Sequence, residues 1–445
     1  MPLALAAMLP PGSGRMVLLS GRNDDGLGQW SFVSALPTAI FVLRGRSFEI
    51  INAAGGCVAR GDGDPCDAIA AFVADHQWPS ADDGPLPSVV GYLSYEMGAA
   101  LEHVATQPQA LPDVVLAAYA AVWRWAPAAT TPQLMARDAA AAARLRQLEA
   151  SNASDDRLDL RPPPLLGELA PDDDAAVHRA RIAAVQAYIA AGDVYQVNVA
   201  RRWSAPVLAP GDPLTLLARI HERAPAPYSA LFEFAEGAVV SASPELFLQQ
   251  RNHMLETRPI KGTRRRNGIA VEDAAARADL LVAEKDSAEH LMIVDLERND
   301  IGRICDVGSV HVDGLGYVVE LPHLYHRVSR VRGTLRTDVG LADVLRATFP
   351  GGSITGAPKV RAMQIIAELE PFARGPYCGA IGWFGLCDAA PALELAMGIR
   401  CAVITSETLH VYVGGGIVAD SSPQAEVDET DDKLAGWRLT LGSLR

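Results

Sequence analysis

Short apolar runs broken by turn residues fill the first 125 positions: MVLLSG, TAIFVLRG and SVVGYLSYEMG each predict a strand. Between Ala126 and Asp174 that rhythm stops. Ala, Pro and Asp dominate in PAATTP, DAAAAAR and RPPPLL, which predicts a connecting segment with one alanine-rich helix. From Asp174 the period lengthens, and DDAAVHRARIAAVQAYIAAGD sets Ile182, Val185 and Ile189 on one helical stripe that stops at Gly192. VYQVNVARRW reads as a strand. Further helices are predicted over EDAAARADLLVAEKDSAEHLMIVDLE, PKVRAMQIIAELEP and SPQAEVDETDDKLAGW, and strands over YCGAIGWFG, ALELAMGIRCAVI and TLHVYVGG. Strand runs grouped between helices, without strict βαβ alternation, predict an α+β fold. The expected organisation is an N-terminal region over 1–125, a connecting segment over 126–173 and a catalytic region over 174–445, with the first packed onto the last.

Composition narrows the function. In a chain of 445 residues, 49% hydrophobic, a large core can be buried. A formal charge of −14 lacks the basic excess that neutralises phosphates, so no nucleic-acid partner is expected. Cys57, Cys66, Cys305, Cys378, Cys387 and Cys401 form no CxxC pair, and buried free thiols are expected. MPLALAAMLPPG lacks a basic start and is cut by Pro2, Pro10 and Pro11, unlike a signal peptide. No apolar run reaches the roughly 20 residues of a membrane span, and a cytoplasmic location without membrane contact is expected.

Two glycine-rich stretches do not make nucleotide sites. GGGIVA matches GxGxxA, but the 26 residues after Ala419 leave no room for the helix, second strand and acidic residue of that fingerprint. FPGGSITGAPK separates its lysine from the glycine and is no P-loop. Acidic helices carry more. Glu426, Glu429 and Lys433 share one face of the last helix, and Asp286 and Glu289 stand i, i+3 on another. Carboxylates converging from two helices would suit Mg²⁺, which keeps waters and takes an anionic substrate as a further ligand. Spacing alone fits two solvated helix faces as well. Lys261 to Arg266, Lys359, Arg361 and Arg400 could hold an anionic small molecule. A strand-edge charge reaching water is the other reading of Arg400.

RPIKGTRRR sets Lys261 between an apolar residue and a glycine. A lysine nucleophile must lose a proton held with an ordinary pKa near 10.4. Desolvation in a closed pocket, or neighbouring cations such as Arg258, Arg264 and Arg265, would favour the neutral amine.

Taken together, SPELF, RPIKGT, AEHLMIVDLERNDIGR, FPGGSITGAPKVRAMQIIAELEP, YCGAIGWFG and GGGIVADSSPQAEVDET resemble the chorismate-utilising enzymes, and among them the aminodeoxychorismate synthase component I branch. The resemblance covers essentially all of the chain after Asp174, and more weakly VLLSG and GYLSYEMG before it. Related anthranilate synthases usually read PIAGT and QVVPSRR where this chain has PIKGT and QVNVARR.

The resemblance implies a large β-sandwich core flanked by helices, and Mg²⁺-dependent conversion of chorismate and ammonia to 4-amino-4-deoxychorismate, towards p-aminobenzoate and folate. It implies Lys261 as nucleophile and Glu245 as general acid. Glu289 and Glu429 would be Mg²⁺ ligands supported by Asp286 and Glu426, and Gly262, Thr263, His326, Ser353, Tyr377, Arg400, Gly414, Gly416 and Lys433 would line the substrate pocket. Ser20, Pro227, Tyr228 and Ser229 match an effector site of the family. Val427 departs from it, standing where an aromatic residue is common. No glutaminase nucleophile motif or lyase domain is visible, so a separate glutamine amidotransferase partner is expected. The alternatives are anthranilate synthase component I and a catalytically silent chorismate-binding subunit.

Overall fold

The alternating runs pair into two antiparallel sheets, each of 12 strands, in a computed structural model that describes residues 1–21, 26–79, 83–151, 160–321 and 324–442. The first sheet centres on Gln196–Ala209, Thr408–Ile417, Cys401–Thr405, Gly237–Ser243 and Tyr228–Phe234, and Met16–Ser20, Ser31–Ser34 and Ala121–Trp125 extend it. The second runs from Ile260–Arg265 through Leu324–Thr334, Met254–Arg258, Leu246–Arg251, Ala390–Met397, Ala380–Cys387 and Pro85–Leu93 to an edge at Cys57–Asp62. Strands from before Ala126 and after Asp174 therefore lie side by side in both sheets: Met16 pairs with Phe232, and Leu93 with Ala380.

The sheets face each other across a shared apolar core, where Phe32 meets Trp383 edge-on at 6.1 Å and Tyr92 meets Phe232 at 6.5 Å. Interior strands such as Pro85–Leu93 and Val114–Ala118 are buried along their whole length, which explains why their sequences read as continuous apolar runs. Each buried Phe or Leu stabilises by roughly 1.5–3 kcal/mol. A second apolar cluster lies on the outer face of the first sheet, where Pro2–Met8, Leu214–Arg223 and Pro423–Gly442 bury Leu5, Leu217 and Trp437.

Two predicted elements divide, and a third ends early. The helix predicted over Glu272–Glu297 breaks at Ala283, whose ψ of 105° is extended, into Ala270–Val282 and Glu284–Gly302. Neither Gly nor Pro marks the break; the Arg327 guanidinium takes up the terminal carbonyls of Leu280 and Leu281 from another strand. ALELAMGIRCAVI is two strands, Ala390–Met397 in the second sheet and Cys401–Thr405 in the first. The chain changes sheets at Gly398–Arg400, and Arg400 takes a φ of +50° there. SVVGYLSYEMG is strand only to Leu93, then turns into the helix Tyr95–Leu101, capped by the Ser94 hydroxyl.

Candidate functional site

Both sheet crossings and the two acidic helices open onto one cavity of about 610 Å³, within the range of small-molecule sites. Glu245 sits on the first crossing, between Gly237–Ser243 and Leu246–Arg251, and Arg400 on the second. Ile260–Arg265 supplies Lys261, Gly262 and Thr263; the short turn Gly352–Ile354 supplies Ser353. Gly414–Gly416 and the helices carrying Asp286, Glu289, Glu426, Glu429 and Lys433 supply the rest of the lining, and Lys433 Nζ donates to the Gly414 carbonyl at 2.7 Å. His326 and Tyr377 complete the set, so the predicted catalytic, substrate and metal residues all line one space.

Lys261 Nζ donates to the Ser353 carbonyl at 3.2 Å. Glu245 lies beside them, 4% exposed. Burial pushes its carboxyl up, against the pull of the Ser353 hydroxyl, Lys261, the Ile260 N–H and Lys433. A carboxyl pushed this way holds its proton more tightly than a solvated one, which favours a general acid. The cations expected to surround Lys261 are engaged elsewhere: Arg258 pairs with Glu256, Arg264 with Asp279 and Asp286, and Arg265 with Asp432. Local burial and the nearby Glu245 carboxyl set its surroundings instead.

Glycine is required on the floor of the cavity. Gly262 has a φ of +85°, and a Cβ there would stand 2.9 Å from Leu280 and 3.2 Å from the Asp286 carboxyl. A Cβ on Gly416 would stand 2.3 Å from Gln196 Nε2 and 3.4 Å from Lys261 Nζ. The strand must be bare for those groups to meet.

His326 Nδ1 bonds the Thr263 hydroxyl at 2.9 Å and its Nε2 has no partner among the described residues. Burial, with the Arg400 and Lys433 charges, pushes this imidazole down to about 3, so it is neutral. Tyr377 stacks on Tyr412 at 5.3 Å. Arg400 makes no ion pair among the described residues, and burial lowers its pKa, which marks a cation waiting for an anion. Lys359 and Arg361, expected to join it, lie outside the cavity: Lys359 pairs with Asp300 at 2.6 Å and Arg361 with Asp193 at 3.2 Å.

Among the described residues no three of His, Cys, Asp and Glu gather tightly enough to cage a metal by themselves. The carboxylates come as oxygen pairs on facing helices. Glu426 Oε2 and Glu429 Oε1 lie 3.2 and 3.9 Å from the point a Gly415 Cβ would occupy, and Lys433 holds Glu429 at 2.7 Å. Such a sparse all-oxygen set fits Mg²⁺, which fills its remaining positions with water and substrate oxygens. Val427 is 3% exposed and packs inward on the same helix.

Pro227, Tyr228 and Ser229 line a second, separate cavity of about 30 Å³, walled by Trp30, Phe32 and Trp383. That is room for about one water. Ser20 stands off this wall and accepts from the Ser31 hydroxyl at 3.2 Å.

Sequence reasoning did not single out Gln196, Asn198 or Glu297. Gln196 and Asn198 share one face at the start of their strand, where Val197, Val199 and Ala200 are apolar, and polar residues two apart facing a glycine strand were the readable signal. Glu297 carried none, since a helix of mixed charge hides which glutamate is buried.

A family model described as chorismate binding enzyme matches residues 34–437. The chain is 36% identical over 442 residues to aminodeoxychorismate synthase component 1 of Klebsiella aerogenes, covering 94% of this chain and 92% of that one. It is 34% identical over 437 residues to anthranilate synthase component 1 of Cereibacter sphaeroides, covering 92% and 86%. The structure of anthranilate synthase component I from Streptococcus pneumoniae superposes with a TM-score of 0.77 at 29% identity, covering 92% of each chain. The menaquinone-specific isochorismate synthase of Escherichia coli shares the fold, with a TM-score of 0.67 at 20% identity over 98% of this chain and 97% of that one.

Proposed function

The chain belongs to the chorismate binding enzyme family, and we propose that it aminates chorismate at ring carbon 4 to give 4-amino-4-deoxychorismate, through a covalent bond to Lys261. The observation that carries this reading is the meeting of Lys261, Glu245 and Ser353 in a cavity that also gathers Arg400, Lys433 and the carboxylates of the two acidic helices.

The lone pair of the Lys261 amine bonds to ring carbon 2, the two double bonds shift, and the bond from carbon 4 to its hydroxyl oxygen breaks. The Glu245 proton leaves with that oxygen as water. Ammonia then bonds to carbon 4, the double bonds shift back, and the bond from carbon 2 to Lys261 breaks, returning the electron pair to the amine. The Glu245 carboxylate takes the surplus proton from the new ammonium group, which restores both residues. Arg400 and the Gly414–Gly416 wall orient the anionic substrate, and neutral His326 donates or accepts without adding charge.

Glu289 and Glu429 would hold Mg²⁺, with Asp286 and Glu426 around them. When bound, the ion would neutralise a substrate carboxylate between the two acidic helices. Ammonia comes from a separate glutamine amidotransferase partner, a reading supported by relatives whose names carry "component 1". The product leads towards p-aminobenzoate and folate.

Purified chain supplied with chorismate, Mg²⁺ and an ammonium salt tests the assignment. Aminodeoxychorismate is the expected product. Anthranilate would instead mark amination at carbon 2, the reaction named for the Cereibacter sphaeroides relative, and no turnover would mark a silent binding subunit.

A further inference from the structure

Where the helix Ala175–Ala190 packs on the strand Gln196–Ala209, three nitrogen-bearing side chains meet inside the protein. His178 and Arg181 stand i, i+3 on one face of the helix, and Arg201 of the strand lies within electrostatic reach of both. They are 1%, 7% and 5% exposed. Yet His178 Nδ1, Arg181 Nη1 and Arg201 Nε are shut off from solvent with no hydrogen-bond partner among the described residues.

Both guanidinium groups are anchored by their other atoms. Arg181 Nη2 donates to Asp173. Arg201 Nη1 donates to the Thr430 hydroxyl at 2.8 Å and to Asp431 at 3.3 Å, both on the last helix, and the group stacks over the Trp203 ring at 4.4 Å. Arg438 adds a third positive charge beside Asp431, so three guanidinium groups stand against two carboxylates. Burial, with the Arg201 and Arg181 charges, pushes the His178 imidazole down to about 4 against the pull of Asp173. At neutral pH it is uncharged and donates from Nδ1 as that tautomer.

One buried N–H left unmade is costly, and a native fold keeps three together where something accepts from them. A water accepts at most two hydrogen bonds and would turn its own hydrogens towards the remaining donors. An anion accepts all three and also offsets the surplus positive charge. None of the three residues lines either cavity described above, and the enclosed donors leave room for a monatomic ion and none for a phosphate.

We propose that His178 Nδ1, Arg181 Nη1 and Arg201 Nε bind a halide-sized inorganic anion, chloride in the first instance, which clamps the helix Ala175–Ala190 to the strand and, through Arg201, to the last helix. The site stands apart from the amination chemistry and does not depend on it.

Thermal melts of the purified full chain test the site, with sodium chloride replacing sodium gluconate at fixed ionic strength, because gluconate is too large to enter. The melting temperature is expected to rise saturably, by roughly 2 °C at ten times the dissociation constant. His178→Phe fills the space without the Nδ1 donor, and Arg201→Met keeps the stem without the charge. In both, the chloride-dependent rise is expected to vanish. No rise in wild type overturns the site, and so does a rise that survives undiminished in both variants.

Crystals of wild type grown in sodium bromide decide the question without any variant having to fold. An anomalous peak within hydrogen-bond reach of the three donors is expected. No peak there, with an ordered water in its place, overturns the site.

Discussion

The Thr257 hydroxyl donates to Glu297 Oε2 at 2.7 Å, and both residues are buried, 3% and 6% exposed, within electrostatic reach of Glu245. Burial pushes Glu297 up to about 8, the Glu245 and Asp300 carboxylates add to the push, and Thr257 and Lys359 oppose it. The folded chain thus holds a proton that the unfolded chain releases near 4.5. Its contribution to stability is complete below that value and is lost as pH rises to about 8, by up to about 1.4 kcal/mol per pH unit. Glu297→Gln keeps an acceptor for Thr257 and removes the titration. Melting temperatures measured across that window should fall less with rising pH in the variant than in wild type. Parallel curves would mean that Glu297 carries no extra proton.

Among the described residues Lys261 makes one hydrogen bond, to the carbonyl of the cavity-lining Ser353. Lys261→Ala should therefore cost the fold no more than about 1 kcal/mol, since water can replace the donor. Aminodeoxychorismate formation should fall by at least about a hundredfold, and some amination at carbon 2 is the expected residue of activity. Chromatography of the products beside a thermal melt reads both. Wild-type rate and product in this variant would end the covalent role.

Glu429 is held by Lys433 at 2.7 Å, on the helix that faces Asp286 and Glu289 across the cavity. Glu429→Gln keeps the shape and removes one negative charge. The Mg²⁺ concentration giving half-maximal rate should rise by roughly 10–100-fold, and calorimetric titration of Mg²⁺ onto the chain with chorismate present should weaken in parallel. Identical titrations would show that the ion, if bound, sits elsewhere.

What could be read in advance follows from which forces are local. Short apolar runs bounded by turn residues placed the strands, and i, i+3 spacing put Asp286 with Glu289 and Glu426 with Glu429 on the faces that meet the cavity. The two divided elements were illegible because their causes are remote. The helix breaks at Ala283 where Arg327, a strand residue far along the chain, takes the preceding carbonyls, and the strand ending at Met397 gives way to Cys401–Thr405, which pairs between Gly237–Ser243 and Thr408–Ile417 of the other sheet. Lys261 was visible as an anomaly, but the pairing of its neighbours was not: Arg264 and Arg265 find carboxylates on other elements, and Arg258 turns to Glu256 two residues back in its own strand. Gln196 was hardest: a polar residue opening a strand is ordinary, and only the packing of Gly416 against it reveals an unsatisfied group.

Arg400 shows how the same packing separates binding from stability. It occupies the crossing between sheets at a φ of +50°, its carbonyl accepts from the Ala242 N–H at 3.0 Å, and its guanidinium meets no carboxylate among the described residues. Folding therefore leaves a half-buried cation uncompensated, while an anionic substrate compensates it. Arg400→Gln retains the backbone bond and the same backbone strain, and removes the charge. A charge-assisted hydrogen bond is worth about 1.5–3 kcal/mol, so the KM for chorismate should rise roughly 10–100-fold. The melting temperature of the ligand-free variant should hold or rise, because the cost of the buried charge disappears. A clear fall in melting temperature with an unchanged KM would make Arg400 a structural residue and leave the cavity without its anion anchor.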